Sequence, residues 1–300
     1  MFWENIKEAV TSISSNKMRS LLTMLGIIIG ISSVIIITTI GGSIQSTLTA
    51  TMNSLGGNMV QAYVEARYPE NDEDWATWEQ PDMTDSDYVT QDMIDGLIEK
   101  YPDEVTGVAA QNYLGSGTIK DDADSKNYAN VNIDGITPEY LEYMKLEMHA
   151  GRNLTKADNQ GKKRVCLIAD TMAERYFAGK DPIGETLSVA TSDGGIFDFV
   201  VVGVYVYNQA LFGKVDTSIP EKDRVTELMI PLQTCFKLQG TDRTGYDYFN
   251  LMIDPLADVN QATTDVLSYF DEMYANNKNF HVSAYNMASD LGMINTCLLY

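Results

Sequence analysis

Between Leu21 and Ile40 the chain carries no charge, no asparagine and no glutamine. As a helix rising about 1.5 Å per residue, this run is about 30 Å long, the thickness of a bilayer's hydrocarbon layer. A helix in a soluble core needs one apolar face, and this run is apolar all round. A secretory signal has a shorter apolar region followed by a small-residue cleavage site, and "GGSIQSTLTATMNS" offers no clear one. The run therefore predicts a transmembrane helix over residues 20–43. Lys7, Lys17 and Arg19 precede it, and the next charge is Glu65. Positive flanks stay on the cytoplasmic side, so the N-terminus is expected inside and the rest outside.

Residues 1–19 read as a cytoplasmic amphipathic helix lying at the interface, with Phe2, Trp3, Ile6, Ala9, Val10 and Ile13 on one face. Within the span, Gly26 and Gly30 form a G-x-x-x-G pair, with Ser33 further along the same side. Small residues at this spacing let a second helix approach closely. Residues 44–57 read as a helical stalk, ended at a turn by Gly56, Gly57 and Asn58.

Charge narrows the function. Of 300 residues, 42 are Asp or Glu and 21 are Lys or Arg, a formal net charge of −21. All of this excess follows the span, where 40 acidic residues face 18 basic ones, so the outer part repels nucleic acid and anionic lipid. Cys166, Cys235 and Cys297 make an odd number without a C-x-x-C, which argues against a disulfide-stapled domain. Cys166 in "RVCLIAD" reads as a buried thiol, with a Cys166–Cys235 bridge as the less favoured alternative.

The outer part is expected to be α+β. "NMVQAYVEA" (58–66) alternates like a strand. An acidic loop follows, with Trp75 and Trp78 in "ENDEDWATWEQPD". It reads as a solvated loop with two aromatics folded back, or alternatively as a partner-contacting one. Residues 84–102 read as a helix capped by Thr84 or Ser86, and 105–114 as a strand. The same order returns in 245–254 (strand), 255–275 (helix) and 279–286 (strand). Two β-α-β halves over 58–115 and 231–286 then complete one split sheet with helices on one face. Residues 116–230 form an inserted, mostly β part, and residues 287–300 turn apolar again as the start of a second membrane helix.

Chemistry-bearing patterns are sparse. G-x-x-x-x-G-K-[ST] is absent, so ATP hydrolysis is not expected of this sequence, and no cofactor or metal is expected. His149 and His281 have no zinc-like spacing. "DDAD" (121–124) and "ENDED" (70–74) depart from the calcium-loop pattern and read as solvated charge. "NLT" (153–155) matches the N-glycosylation triplet, a pattern that chance produces easily.

The order of these pieces resembles MacB/FtsX-type ABC transporter permeases. The N-terminal stretch from "MFWENIKEAV" through "NKMRSLLTMLGIIIGI" to "LGGN" is similar to the family's opening. "IDGITPEYLEYMKLEMHAGRNLT", "VCLIADTMAERYFAGKDPIGETLSV" and "FDFVVVGVY" follow in order, with its G-R, D-P-I-G and V-V-G-V signatures. The resemblance implies a split α/β porter-like part with an inserted mostly β part, extracytoplasmic in location. It implies a second permease copy, a cytoplasmic ABC ATPase as a separate chain, and the lipid bilayer as partners, with no nucleic acid. It implies transmission of ATP-driven motion to the outer domain, for efflux of drugs, peptides or lipoproteins or for mechanotransmission alone. Three further membrane helices expected after the outer domain are not among the 300 residues. A single-span extracellular sensor or binding module is the alternative; a membrane-anchored hydrolase lacks a convergent acid–base set.

Overall fold

A computed structural model of the chain describes residues 2–15, 17–54, 59–69, 75, 78–121, 127–212, 218–241 and 243–286. In chain order its elements are helices α1 (Phe2–Ser15) and α2 (Lys17–Ser54), strand β1 (Met59–Ala66), helix α3 (Gln91–Lys100), and strands β2 (Val105–Ala109), β3 (Gln111–Lys120) and β4 (Tyr128–Ile136). Then come α4 (Tyr140–Tyr143), β5 (Met148–Gly151), α5 (Lys156–Gln160), β6 (Val165–Ala169), α6 (Asp170–Phe177), β7 (Thr186–Thr191), β8 (Ile196–Tyr205) and α7 (Gln209–Phe212). The chain continues with β9 (Val225–Pro231), α8 (Leu232–Leu238), β10 (Tyr248–Ile253), α9 (Val259–Met273) and β11 (Phe280–Asn286). These divide into two compact units, the first holding α1 and α2, the second everything from β1 to β11.

In the first unit α2 is one uninterrupted helix of 38 residues. At about 1.5 Å per residue it is about 57 Å long, well beyond the hydrocarbon layer.

The second unit holds two sheets. The smaller has the order β11-β1-β10-β2, every neighbouring pair antiparallel. This is the split β-α-β arrangement, in which the two β-α-β halves interleave. Helices α3 and α9 share one core with this sheet, burying Ile94, Leu97, Val266 and Phe270 with Val60, Ala62, Phe249 and Leu251. Asp258 caps α9 by accepting from the Asn260 backbone N–H at 2.9 Å.

The larger sheet has the order β5-β8-β6-β9-β4-β3-β7. Strand β7 pairs with β3 on one side and β8 on the other, so the sheet closes into a barrel with β5 attached to the remaining length of β8. Closure removes open edges, and alternate residues fill the interior. Val131 and Ile133 of β4, Leu187 and Val189 of β7, and Phe199 and Val201 of β8 are buried in one core.

Two expectations are corrected. The helix expected over 84–102 is a short 3-10 turn at Asp85–Asp87 followed by α3. Thr84 caps the turn, while Thr90 caps α3 by accepting from the Met93 N–H at 3.2 Å. Between them fully buried Val89 is held in extended conformation by a reciprocal backbone bridge to Tyr246, at 3.0 and 2.8 Å. The strand expected over 105–114 is two strands in two sheets, parted at Ala110. Thr137 stabilises the break. Its hydroxyl accepts from the Ala110 N–H at 3.0 Å and donates to the Val108 carbonyl at 3.1 Å, and its own N–H reaches the Ala110 carbonyl at 3.1 Å.

Candidate functional site

The first candidate site is the apolar length of α2. The span Lys17–Ser43 reaches a mean hydropathy of 2.5, and none of that apolar window is buried by the rest of the chain. Leu21, Ile28 and Ile36 each leave more than half of their surface uncovered. Water penalises such a surface and hydrocarbon does not. The hydroxyls of Thr23, Ser33 and Thr38 donate back to the Arg19, Ile29 and Val34 carbonyls, at 3.1, 2.7 and 3.0 Å. Each is thereby satisfied within its own helix, as an apolar surrounding requires.

Gly26 and Gly30 lie one turn apart, and a Cβ added at either would meet nothing within 4 Å. They form a bare strip on which another helix would find room. Ser33 adds smallness to that strip rather than a donor, since its hydroxyl proton is used within α2. Lys7 is exposed on α1, and Lys17 and Arg19 are exposed on the first turn of α2. Gly56, Gly57 and Asn58 lie outside the described residues, as do 287–300.

The second candidate is where the sequence signatures meet. Gly151, Gly184 and Gly203, from the G-R, D-P-I-G and V-V-G-V stretches, converge beside β5 and β8. Gly151 has φ +72°, and a Cβ there would strike the Val202 carbonyl. A Cβ on Gly203 would strike the Arg152 carbonyl, and the Gly184 N–H donates to the Val201 carbonyl at 2.8 Å. Close backbone approach explains Gly151 and Gly203, whereas Gly184 has open space around it and is explained by its φ of +88°.

Arg152 then reaches Asp158, which is 1 % exposed, at 2.7 Å, and Lys163 reaches it at 3.0 Å. Burial acts to raise the Asp158 carboxyl, but hydrogen bonds from Arg152, Thr155 and Lys163 outweigh it and hold it well below the usual carboxylate range. Thr155 and Asp158 also form a reciprocal capping box on α5. Sequence reasoning missed Asp158; the Thr155-x-x-Asp158 spacing is the signal that reveals it. Asn153 of the glycosylation triplet donates its side-chain N–H to the Pro138 carbonyl at 2.8 Å, so a glycan there would displace an internal bond.

The remaining sequence candidates fall into structural places. Cys166 and Cys235 are both buried free thiols, so no bridge joins them. Burial pushes the thiol of each upward, making both poor nucleophiles. His281 sits on β11 opposite Glu65. Trp75 and Trp78 pack with Tyr68, with ring centroids 5.2–5.6 Å apart. Trp78 also packs against the core of the smaller sheet, so these aromatics fold back onto the domain. Among the described residues no group of three or more His, Cys, Asp or Glu is placed to hold a metal ion.

A third place was not legible in sequence. A cavity of about 340 Å3 lies where α3, α5, α8 and the β4–α4 corner meet. Its lining comes from residues far apart in the chain, including Asp92, Asp95, Lys156, Lys162 and Gln233.

Comparison with known proteins agrees with this architecture. The chain is 32 % identical over 186 residues to an uncharacterized ABC transporter permease, YknZ of Bacillus subtilis, covering 61 % of this chain and 43 % of that protein. It is 25 % identical over 221 residues to the macrolide export ATP-binding/permease protein MacB of Neisseria gonorrhoeae, covering 72 % of this chain and 30 % of that one. The chain thus spans less than half the length of these relatives. The crystal structure of the periplasmic region of MacB from Actinobacillus actinomycetemcomitans shares the fold at a TM-score of 0.51 and 18 % identity, covering 81 % of this chain and 95 % of that one. The family of MacB-like periplasmic core domains matches residues 20–269. With that match extending over most of its length, the chain belongs to the MacB-like periplasmic core domain family of ABC transporter permeases.

Proposed function

We propose that this chain is a permease component that conveys the motion of a cytoplasmic ABC ATPase to an extracytoplasmic domain. In this reading α2 crosses the bilayer over residues 20–43 and continues outward as a stalk. Lys7, Lys17 and Arg19 hold the N-terminus on the cytoplasmic side. The partner ATPase supplies the chemistry, and the Gly26–Gly30 strip packs against a helix of the same permease or of a second copy. The observation that carries the proposal is the unbroken 38-residue α2, apolar and uncovered at one end and longer than a bilayer is thick. Family membership supports it, and export of drugs, peptides or lipoproteins is the range of tasks it fits.

Orientation is tested by single-cysteine labelling in intact cells. Lys7→Cys is expected to react with a membrane-impermeant maleimide only after the membrane is opened. Asp193→Cys, on the outer unit, is expected to react before. The reverse pattern rejects the orientation. Copurification of a separate ATPase with the tagged chain tests the partnership.

A further inference from the structure

The cavity among α3, α5 and α8 is built asymmetrically. Helix α3 contributes Asp92 and Asp95, both exposed. Helix α5 and the turn behind it contribute Lys156 and Lys162. Glu139 also lines the cavity, 3.7 Å from Lys156. The split sheet's helix therefore contributes acidic charge only, and the barrel's side contributes both lysines, with Glu139 beside Lys156.

Gln233 lines the same cavity and is 8 % exposed. Its backbone N–H donates to Asn159 Oδ1 and its side-chain N–H to the Thr244 carbonyl, both at 2.9 Å. Its amide oxygen, by contrast, is buried and accepts no hydrogen bond. A buried acceptor left empty in this way costs folding free energy unless something donates to it. Tyr246 does not, since its hydroxyl is committed to Gln91 Oε1 at 2.5 Å.

We propose that this cavity binds a small zwitterion, a free amino acid or dipeptide, held between the two sheets. Its ammonium group would face Asp92 and Asp95 and, with a small turn of the Gln233 amide toward the cavity, donate to the buried Gln233 Oε1. Its carboxylate would face Lys156 and Lys162. A volume of about 340 Å3 suits a ligand of that size. A plain amine would leave the lysines unused, and a plain anion would meet the α3 carboxylates and offer Gln233 no donor.

The test is the thermal stability of the full chain in lipid nanodiscs, titrated with each of the free L-amino acids and with glycylglycine. At least one is expected to raise the midpoint in a saturable way, because a ligand of the folded state stabilises it by mass action. Its N-acetylated and amidated derivatives are expected to have no effect. Asp95→Asn and Lys162→Asn, both at solvent-reachable positions, are each expected to weaken binding about tenfold, the loss of one charge-assisted contact. Asn suits position 162 because Lys162 has φ +48°, a conformation Asn tolerates. The proposal is overturned if no compound shifts the midpoint, if the capped derivatives act equally well, or if both variants respond like the parent.

Discussion

At the scale of single residues, Asp158 shows how a carboxylate can be buried without serving chemistry. It is closed off from solvent and yet charged, because Arg152, Lys163 and the Thr155 hydroxyl all donate to it. Removing the charge leaves two cations that are themselves about half exposed and can turn to water. Asp158→Asn is therefore expected to cost about 1–3 kcal/mol at neutral pH rather than to abolish folding. In the unfolded chain this carboxyl titrates near 3.9, and in the folded one lower. Its contribution is whole above about pH 4 and drains away as the pH falls further toward the folded value. Denaturant titrations from pH 6 to pH 2 should show the parent losing its advantage over Asp158→Asn across that acidic window. A constant gap between the two would refute the assignment.

At the scale of elements, the step from β2 to β3 rests on Thr137, 27 residues beyond Ala110. Thr137→Val keeps the shape but leaves the buried Ala110 N–H without its partner, an expected cost of about 1–3 kcal/mol. Amide hydrogen exchange at Ala110 should accelerate by at least the matching factor; unchanged protection would show that the hydroxyl is dispensable. This step also marks the limit of what could be read in advance. Periodicity within 105–114 is that of a strand throughout, because residues on both sides of Ala110 are extended. What divides them is a hydrogen bond from a distant residue, and local pattern does not report it. Val89 hides the helix break at residue 88 for the same reason, since its partner Tyr246 is far along the chain. The apolar α2 and the two β-α-β halves were legible because their signals are local. The barrel's closure, the Asp158 cluster's three-dimensional setting and the cavity were not. For α2 itself, replacing both Gly26 and Gly30 with Leu fills the bare strip with side chains. Cysteine crosslinking within the assembled complex is expected to fall while the outer unit's circular dichroism stays unchanged. Undiminished crosslinking would remove this strip from any role in helix packing.

At the scale of the whole molecule, the barrel is inserted into the smaller sheet, so that sheet waits for both ends of its own sequence. β1 and β2 do not touch; β10 lies between them. A chain ending at residue 244 would keep every barrel strand and lose β10 and β11. Limited proteolysis of that truncated chain is expected to cut within 59–110 and spare 111–231; uniform resistance would contradict the interleaved order. Such non-local pairs are costly to close, so the smaller sheet is expected to be the slower part to form. The same interleaving has a mechanical side. β1, which begins five residues after α2 ends, pairs with β10 from Met59 to Tyr63 and with β11 from Val60 to Ala66. Antiparallel ladders run their hydrogen bonds across the strands. Under the proposed function, tension entering at Met59 along the strand axis would load both ladders in shear, many bonds sharing the pull at once, where an edge strand would have a single ladder to share it.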